Sequence, residues 1–367
     1  MKNEKIFINE VEYSPRNVLI IAELGSSHGC DPVKAGELIE AAAESGADCV
    51  KFQIIYAREI LHPNTGEVLL PGGKIRLFDR FRELETAPAF YAEMKEKVEK
   101  KGLIFLCTPF GLQSARELKE LKPKCVKIAS PELNYLALLR EAASWKLPVL
   151  LSTGVSRLGD IEEALAIVGK EVCLLHCVTS YPAPETDYKL RVLRSLAMIF
   201  GVPVGISDHS LDPCLVPVLG TAMGAAVIEK HFCLSRNDPG LDDPIAQPPA
   251  SFAQMVRSVR QAEKSDPEET LEIMRREHGR DLVDKILGDG VKRLAPSEEA
   301  NYGRTNRSIH ALKDILEGET IEREKIACLR TEKILRPGLS PAWEERIIGR
   351  KAKTFIPAGE GIRFEDI

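Results

Sequence analysis

Short apolar runs recur along the first two thirds of the chain, and a helix-like segment follows each of them. The runs cover residues 17–25, 48–53, 103–109, 125–130, 148–154, 172–177, 203–209 and 226–232. Each run ends in polar or small residues, whereas the segments between them carry apolar residues at three- and four-residue spacing. Strands that are apolar on both faces and alternate with helices are typical of parallel sheets. Eight such repeats over about 235 residues predict a closed (β/α)₈ barrel.

Two further segments follow the predicted barrel and divide the chain into three parts. From about residue 251 to 300 the pattern is helical and charged, which indicates the last barrel helix and a connecting segment. Later, short strand-like pieces separated by Gly and Pro turns predict a compact second domain. We therefore expect a barrel domain over 1–265, a helical linker over 266–303 and a small β domain over 304–367. A doubly wound open sheet is the alternative for the first part, although no G-x-G-x-x-G turn follows its first strand.

The amino-acid composition and the net charge argue against several classes of protein function. Apolar residues make up 44% of the chain and charged residues 29%, values near those of ordinary globular proteins. The formal net charge of −5 argues against a nucleic-acid-binding protein, which would need a basic face. No stretch approaches about eighteen consecutive apolar residues and no signal peptide is recognisable, so we expect no membrane partner and a cytoplasmic location. The nine cysteines show no C-x-x-C pair and no zinc spacing, which agrees with a reducing compartment.

Polar side chains end most of the predicted strands, where a (β/α)₈ barrel places its active site. These residues are Glu23, Lys51, Gln53, Thr108, Lys127, Ser130, Ser152, Thr153, His176, Ser207, Asp208, His209, Glu229, Lys230 and His231. Converging on one mouth, they would gather carboxylates, ammonium groups and imidazoles from different strands. Lysines and hydroxyl groups suit phosphate and carboxylate, while imidazoles suit divalent ions such as manganese, zinc or iron. The pattern therefore predicts a site for an anion and a metal.

Several interpretations of these residues remain open at this point. His209 and His231 end successive strands, so their rings could meet at one ion and leave positions for water and substrate oxygens. Lys51 and Lys127 each interrupt an apolar strand, where an unpaired charge would be costly. They fit anion binding, but the desolvated lysine of a Schiff-base pyruvate aldolase is an alternative. A non-catalytic carbohydrate-binding protein is a second alternative, and Glu23 could be catalytic or merely the partner of a lysine.

The motifs at the strand ends follow a specific order. IAELGSSH, DCVKFQ, LCTPF, VKIAS, LLSTG, LLHCVTSYPAP, VGISDHS and IEKHF succeed one another along the barrel region. In this order and spacing they resemble the sialic acid synthase family, which includes legionaminic and pseudaminic acid synthases. NRSIHALKDILEGE, LRPG and IIGRKA extend the resemblance to the tail. It implies a TIM barrel followed by a small β-clip domain related to type III antifreeze proteins.

The resemblance also implies a reaction. Members of this family condense phosphoenolpyruvate with an N-acyl amino-sugar aldehyde and release phosphate, so the expected product is a nine-carbon keto acid. The expected acceptor is similar to N-acetylmannosamine or to a 2,4-diacetamido-trideoxyhexose. A divalent cation is the implied cofactor, with manganese first and Mg²⁺, Co²⁺ or another divalent ion as alternatives.

Individual residues take their expected roles from the resemblance. His209 and His231 are expected to hold the metal, and the expected catalytic residues are Glu23, Lys51, Lys127 and Glu229. The expected substrate-binding residues are Gln53, Thr108, Ser130, Ser152, His176, Tyr181, Ser207, Asp242 and Arg336. Arg336 matches a tail arginine that, in the family, reaches the barrel of a partner subunit. A domain-swapped homodimer is therefore expected.

The chain departs from the family pattern in two segments at the barrel mouth, and its connecting segment, residues 266–290, is longer than is typical of the family. Ser27, His28, Gly29 and Cys30 stand where the family commonly reads NHNG or NHDG. The run DPIAQPP after Asp242 replaces the family's usual Ser-Met run. Both departures fall on the sugar side of the expected site or around it. They concern the choice of acceptor more than the type of reaction.

Overall fold

The computed structural model describes residues 4–70 and 73–367, and its largest sheet has eight strands. The strands in chain order are β1 (Ile6–Ile8), β2 (Val11–Tyr13), β3 (Leu19–Glu23), β4 (Cys49–Ile54), β5 (Glu67–Leu70), β6 (Gly73–Arg76), β7 (Ile104–Pro109), β8 (Val126–Ile128), β9 (Val149–Ser152), β10 (Val172–Cys177), β11 (Val204–Asp208), β12 (Val227–His231), β13 (Arg307–Ala311) and β14 (Ile326–Arg330). The α-helices are α1 (Pro32–Glu44), α2 (Ala57–Ile60), α3 (Leu77–Arg82), α4 (Pro88–Lys100), α5 (Leu112–Glu120), α6 (Leu136–Ser144), α7 (Leu158–Val168), α8 (Val192–Phe200), α9 (Leu215–Ala222), α10 (Pro249–Ala262), α11 (Pro267–His278), α12 (Arg280–Leu287) and α13 (Glu344–Ile347). Short 3₁₀ turns cover Ser130–Glu132, Glu185–Asp187, Glu299–Asn301, Arg323–Lys325, Pro341–Trp343 and Phe364–Asp366.

All eight predicted barrel strands form, and they close into a barrel. Hydrogen-bonded neighbours follow the order β7, β4, β3, β12, β11, β10, β9 and β8, and every pair is parallel. Contact between β7 and β8 completes the ring. The predicted (β/α)₈ fold is therefore confirmed. Within the described residues, no helix is long and apolar enough to cross a membrane.

Apolar side chains fill the barrel interior toward the amino ends of the strands. The strands contribute Leu19, Ile21, Cys49, Leu106, Cys125, Leu150, Cys173, Leu175 and Val227 to one buried cluster. The hairpin β1–β2, which the sequence pattern did not predict, adds Ile6, Ile8 and Tyr13 to the same cluster. Its strands have three residues each, too few to show a clear period of two. The hairpin closes the amino end of the barrel.

The chain beyond the barrel has a helical part and a β part. The helix α11 is capped by Asp266, whose carboxylate accepts a hydrogen bond from Glu268 N at 2.9 Å, and α12 follows directly. The small C-terminal domain contains the antiparallel hairpin β13–β14, with Arg307 opposite Arg330. Its own buried core consists of Ile309, Ala311, Ile315, Ile321, Ile326, Cys328, Ile347, Ala352, Ile356, Ile362 and Ile367. The predicted boundaries after residues 265 and 303 stay predictions.

The C-terminal domain packs against the carboxyl end of the barrel. Arg307 and Arg330 donate to the same carboxylate oxygen of Glu132, at 2.9 and 2.7 Å. Arg307 also donates to the carbonyl oxygens of Glu59 and Phe110. These groups are buried, and a buried charge is tolerated only where its partners are in place. The tail domain thereby becomes part of the barrel mouth.

Candidate active site

The cleft at the carboxyl end of the barrel brings together most of the predicted site residues. Those that line it are Glu23, Lys51, Gln53, Thr108, Lys127, Ser130, Ser152, Tyr181, Ser207, His209, Glu229, His231 and Asp242. Strand register explains the convergence, because Glu23 is level with Lys51 of β4 on one side and with His231 of β12 on the other. Alternate residues of a strand point to opposite faces, so these side chains enter the barrel while their neighbours face outward.

Two lysines and two glutamates form a buried network on the floor of the cleft. Lys51 Nζ lies 2.6 Å from Glu23 Oε2 and 3.5 Å from Glu229 Oε1. Lys127 Nζ lies 3.8 Å from the other oxygen of Glu229. Gln53 Nε2 donates to Glu23 Oε1 at 2.5 Å and fixes that carboxylate from its other side. The two ammonium groups and two carboxylates balance one another, which lowers the cost of burying them.

Burial and neighbouring charges together set the protonation of this network. Burial opposes the charged form of Lys51, but Glu229 and Glu23 raise its pKa above the usual range. For Lys127 burial outweighs the attraction of Glu229, so its pKa is lowered. Burial acts against ionisation of Glu229 as well, yet Lys127 and Lys51 bring its pKa down to about 2. Lys127 is therefore the cation that a bound anion would stabilise most.

Three serines line the same cleft as the lysines, at the end of β9, in β11 and just after β8. Ser207 Oγ donates to Glu229 at 3.2 Å, and Ser130 Oγ accepts from the backbone N–H of Gly154 at 3.0 Å. The buried hydroxyl of Ser152 has no hydrogen-bond partner within the described parts of the chain. A buried hydroxyl without a protein partner marks a place for a bound polar atom. With the two lysines, these hydroxyl groups suit a phosphate or a carboxylate.

The rings of His209 and His231 lie together in the cleft, with their centroids 5.6 Å apart. His209 Nδ1 lies 2.9 Å from the carbonyl oxygen of Val178, which leaves Nε2 available as a ligand. A metal–nitrogen distance of about 2.1 Å would place each ring centroid roughly 3.2 Å from a shared ion, so the ring separation admits one. Residues 4–70 and 73–367 contain no group of three or more His, Cys, Asp or Glu arranged to hold a metal. The donor set fits an open divalent site completed by water and substrate, rather than a closed structural site.

Two loop residues frame this pair of imidazoles. The ring of Tyr181, in the turn after β10, stacks on His209 with a centroid distance of 4.3 Å. Asp242 Oδ2, in the loop after β12, lies 4.0 Å from His231 Nδ1. Both loop residues therefore border the part of the cleft that contains the two imidazoles.

Two predicted substrate-binding residues lie away from the cleft. His176 is buried in β10, where its Nε2 lies 2.6 Å from the carbonyl oxygen of Tyr188. Burial lowers its pKa to about 3, so the ring is neutral at ordinary pH. Arg336 donates to Gly361 O at 2.9 Å and pairs with Asp366, both within the tail domain. In this chain, neither side chain is placed to contact a ligand bound in the cleft.

The tail domain instead contributes an arginine that sequence reasoning missed. Arg330 ends β14 and lines the cleft, with its guanidinium carbon 5.3 Å from the centre of the Phe110 ring. The LRPG motif had directed attention to Arg336, six residues later in the sequence. The available signal was the run IACLR, an apolar strand that ends in a cation, which is the pattern used to find the barrel residues.

The outer wall of the cleft is apolar, which the sequence did not indicate. Ile55, Phe81, Leu84, Phe110 and Leu241 line it above the polar floor. Ile55, Leu84 and Phe110 belong to a separate buried cluster formed around α2 and α3, and Phe81 and Leu241 pack against that cluster. The cleft therefore offers charged groups at depth and apolar contacts nearer its opening.

Known families match both parts of the chain. The NeuB family matches residues 38–270, and the SAF domain matches residues 306–367. The chain belongs to the NeuB family. This confirms the resemblance that the strand-end motifs and the tail had indicated. As a NeuB-family protein, the chain is a nonulosonic acid synthase.

Several NeuB relatives match almost the full length of the chain. N,N′-diacetyllegionaminic acid synthase of Campylobacter jejuni is 32% identical over 358 residues, which cover 95% of this chain and 99% of that protein. N-acetylneuraminate-9-phosphate synthase of Homo sapiens is 28% identical over 357 residues, which cover 94% and 91% of the two proteins. The crystal structure of the spore coat polysaccharide biosynthesis protein SpsE from Bacillus subtilis superposes with a TM-score of 0.82 at 31% identity, covering 99% of both chains. These relatives carry the names of different products, so they do not determine the acceptor sugar.

Proposed function

We propose that this NeuB-family protein condenses phosphoenolpyruvate with an N-acyl amino-sugar aldehyde to give a nine-carbon keto acid and inorganic phosphate. The observation that carries the proposal is a pair of buried lysines beside a pair of imidazoles in one cleft. Lys51 and Lys127 suit the phosphate and carboxylate of an enol phosphate. His209 and His231 suit a divalent ion next to it.

Phosphoenolpyruvate would bind over the lysine floor. The charge of Lys127 is costly in the free protein and would be offset by the bound anion. Ser152 offers its unpartnered hydroxyl, and Ser130, Ser207 and Thr108 line the same part of the cleft. Holding this substrate beside the aldehyde would replace a bimolecular encounter with a reaction between positioned groups.

His209 and His231 would hold the divalent cation, for which we propose manganese. When bound, this ion would supply Lewis acidity to the aldehyde carbonyl. Tyr181 stacks on one ring and Asp242 lies beside the other, so both help to keep the imidazoles in place. Mg²⁺ and Co²⁺ are the alternatives, because ligand type alone does not select among divalent ions.

Glu23 is the proposed general acid or base. Lys51 holds one of its oxygens and Gln53 the other, so the carboxylate is oriented before substrates arrive. In the reaction, C3 of phosphoenolpyruvate attacks the aldehyde carbon, water adds at C2, and cleavage of the C2–O bond releases phosphate. Glu23 would exchange a proton with the entering water or the new hydroxyl group. Glu229, which lies between both lysines, would balance their charge after phosphate leaves.

The apolar wall favours an acceptor with apolar substituents. Phe81, Leu84 and Phe110 would contact the methyl groups of N-acyl substituents and of a deoxy carbon. Arg330 already shares the charge of Glu132, so it suits a neutral acyl oxygen better than a phosphate group. We therefore favour a 2,4-diacetamido-trideoxyhexose over an N-acetylmannosamine-like sugar, as the name of the Campylobacter relative also suggests.

Release of phosphate tests this proposal directly. The purified protein would be incubated with Mn²⁺, phosphoenolpyruvate and each of three acceptors: N-acetylmannosamine, its 6-phosphate and a 2,4-diacetamido-2,4,6-trideoxyhexose. We expect phosphate release to require an acceptor, to be fastest with the diacetamido sugar and to stop with a chelator. Failure of every sugar would refute the synthase activity, whereas preference for the phosphorylated sugar would refute only the proposed acceptor.

The two alternative functions make different predictions. A Schiff-base pyruvate aldolase would be inactivated by borohydride in the presence of pyruvate and would ignore chelators. That chemistry needs a neutral lysine. Lys51 is paired with two carboxylates, so Lys127, whose pKa burial lowers, would be the lysine trapped by borohydride. A carbohydrate-binding protein would bind the sugar without releasing phosphate.

We further propose that the protein is a cytoplasmic, domain-swapped homodimer with domains over 1–265, 266–303 and 304–367. Complementation tests the exchange of tails. In a mixed dimer of His209→Ala and Arg330→Ala chains, swapped tails would give one site with an intact barrel and an intact Arg330, whose contact with Glu132 would then form between the two subunits. We expect activity to return on mixing and refolding the two inactive chains. Two variants that stay inactive together, or a protein that is monomeric by light scattering, would contradict the swap.

A further inference from the structure

The loop between β12 and α10 carries two residues of the cleft, Leu241 and Asp242. At its base, Phe232 pairs with Gln247 as an isolated bridge. Residues 238–243, all within the described part of the chain, have no helix or strand. The position of Leu241 and Asp242 therefore depends on individual contacts made by this segment.

Two serines in the turn after β3 hold the segment. Ser26 Oγ accepts a hydrogen bond from Leu241 N at 2.8 Å, and Ser27 Oγ donates to Asp243 Oδ1. The second oxygen, Asp243 Oδ2, accepts from Gly240 N at 2.8 Å. Asp243 is 0% exposed. One buried carboxylate thus connects the turn after β3 to the backbone of the segment.

The packing around this contact leaves little room for displacement. A Cβ atom on Gly240 would lie 2.5 Å from Asp243 Oδ2, and one on Gly25 would lie 2.7 Å from Asp242 Oδ2. Asp242 in turn lies 4.0 Å from the ring of His231. A shift of the segment would therefore change the cleft beside the imidazoles, while the lysine floor on β4 and β8 would stay where it is.

We propose that Asp243, held by Ser27, is a positioning residue that sets the places of Leu241 and Asp242 and thereby the acceptor preference of the cleft. The inference rests on the proposed function, because it assigns Leu241 and Asp242 to the acceptor side.

Other contacts of the loop lie nearer its surface. Lys34 pairs with Asp238 at 2.9 Å, and Arg80 donates to Pro239 O at 3.1 Å. Partly exposed ion pairs contribute little because solvent screens them. Lys34→Ala, which removes the α1 partner of Asp238 in this loop, is consequently a control, with kinetics expected to stay within about twofold of wild type.

Steady-state kinetics tests the positioning role. In Asp243→Ala we expect KM for the acceptor to rise about tenfold, with KM for phosphoenolpyruvate within about twofold, because buried hydrogen bonds to a charged group are lost on one side of the cleft only. Ser27→Ala should show a smaller rise, and the double variant should be no worse than Asp243→Ala, since both changes break one contact. Asp243→Asn keeps an oxygen for Ser27 and should recover part of the loss. Equal rises in both KM values, or a lower kcat with both KM values unchanged, would overturn the proposal.

Hydrogen exchange separates this inference from the proposed function. The peptide that contains residues 238–243 should exchange about tenfold faster in Asp243→Ala and Ser27→Ala, while the barrel strands remain protected. Ser144→Ala, which removes a hydroxyl donating to Glu141 O at the end of α6, is the matched control and should leave the peptide unchanged.

The hydrogen-exchange result tests the positioning role independently of any activity measurement. Unchanged exchange in both variants would refute the positioning role, whatever the activity. A wild-type protein that turns over no sugar but shows the expected exchange would refute only the proposed function. Ser27→Ala decides the matter if Asp243→Ala fails to fold.

Discussion

The two ends of the barrel are built from the same eight strands, yet they differ in chemistry. At the amino end, apolar side chains and the hairpin β1–β2 fill the interior, and burial raises the pKa of Cys125 to about 12. At the carboxyl end, Lys51, Lys127 and Glu229 are buried in contact, and the lysines hold the pKa of Glu229 at about 2 against the effect of burial. The amino end of the barrel interior is therefore apolar, whereas the carboxyl end contains buried charged side chains.

This difference separates the end of the barrel that stabilises the fold from the end that carries the candidate catalytic groups. Burying apolar surface at the amino end contributes about 25 cal/mol for each Å² removed from water. Buried charge at the carboxyl end at best breaks even, because attraction between partners must offset the loss of hydration. We therefore expect substitutions at the mouth to affect catalysis, and substitutions at the amino end to affect stability.

The largest effect is expected for His209→Ala. Loss of one imidazole should lower kcat/KM at least about 1000-fold, because the site would lose a proposed ligand of the cation. Thermal unfolding should change by a few degrees at most, since the apolar cluster at the amino end is untouched. Phosphate release, scanning calorimetry and titration with Mn²⁺ would measure these quantities. His278→Ala, on the exposed end of α11, is the control, and full activity of His209→Ala would refute the ligand assignment.

Substitutions of two buried lysines, Lys127 and Lys230, test whether the charged groups at the barrel mouth stabilise the fold. Lys127→Met should lower kcat/KM at least about 100-fold and leave the free energy of unfolding nearly unchanged, because the lysine's burial is only partly compensated and Glu229 keeps Lys51 as its partner. The matched variant is Lys230→Met, whose lysine lies outside the cleft and pairs with Asp208. It should destabilise the protein by about 3–5 kcal/mol, because a buried carboxylate loses its partner. If urea unfolding showed that Lys127→Met and Lys230→Met destabilise the protein equally, the predicted difference between the two lysines would be wrong.

Ile8→Ala probes the amino end. Ile8 is fully buried in the interior cluster, so the substitution should lower the free energy of unfolding by about 2–4 kcal/mol. Both KM values and kcat should stay within about twofold at a temperature where the protein is folded. Phe7→Ala is the control, since Phe7 is 55% exposed on the same strand. A selective loss of activity in Ile8→Ala would show that the two ends are coupled.

The last prediction concerns the pH dependence of stability, through His28 near the barrel mouth. Burial, with Lys34 nearby, lowers the pKa of His28 to about 4. The unfolded chain, with a histidine pKa of about 6.5, binds more protons between those values, so stability is complete above pH 6.5 and falls as the pH drops through that window. His28→Gln should reduce the slope by about 1 kcal/mol per pH unit in urea unfolding series. An identical slope in the variant would show that His28 is not the group responsible.

Sequence reasoning succeeded where a local pattern reflects a structural constraint. The barrel strands are buried on both faces, so each is a short apolar run, and polar residues such as Lys51 and Glu229 at their ends converge at the mouth. Asp208 and Lys230 were collected by the same rule, but they point to the opposite face of their strands and bind each other. The hairpin β1–β2 was missed because three residues per strand carry too little periodicity.

The sequence alone determined the order of the eight barrel strands and the helices between them, the chemical groups at the strand ends and, through its motifs, the family. These properties depend on residue type and on spacing within short stretches of chain. Only the tertiary structure decided that Arg330 lines the cleft, that His176 belongs to the core and that Ser27 meets Asp243 from 216 residues away. Such contacts depend on distances between segments far apart in the chain, which no local pattern contains.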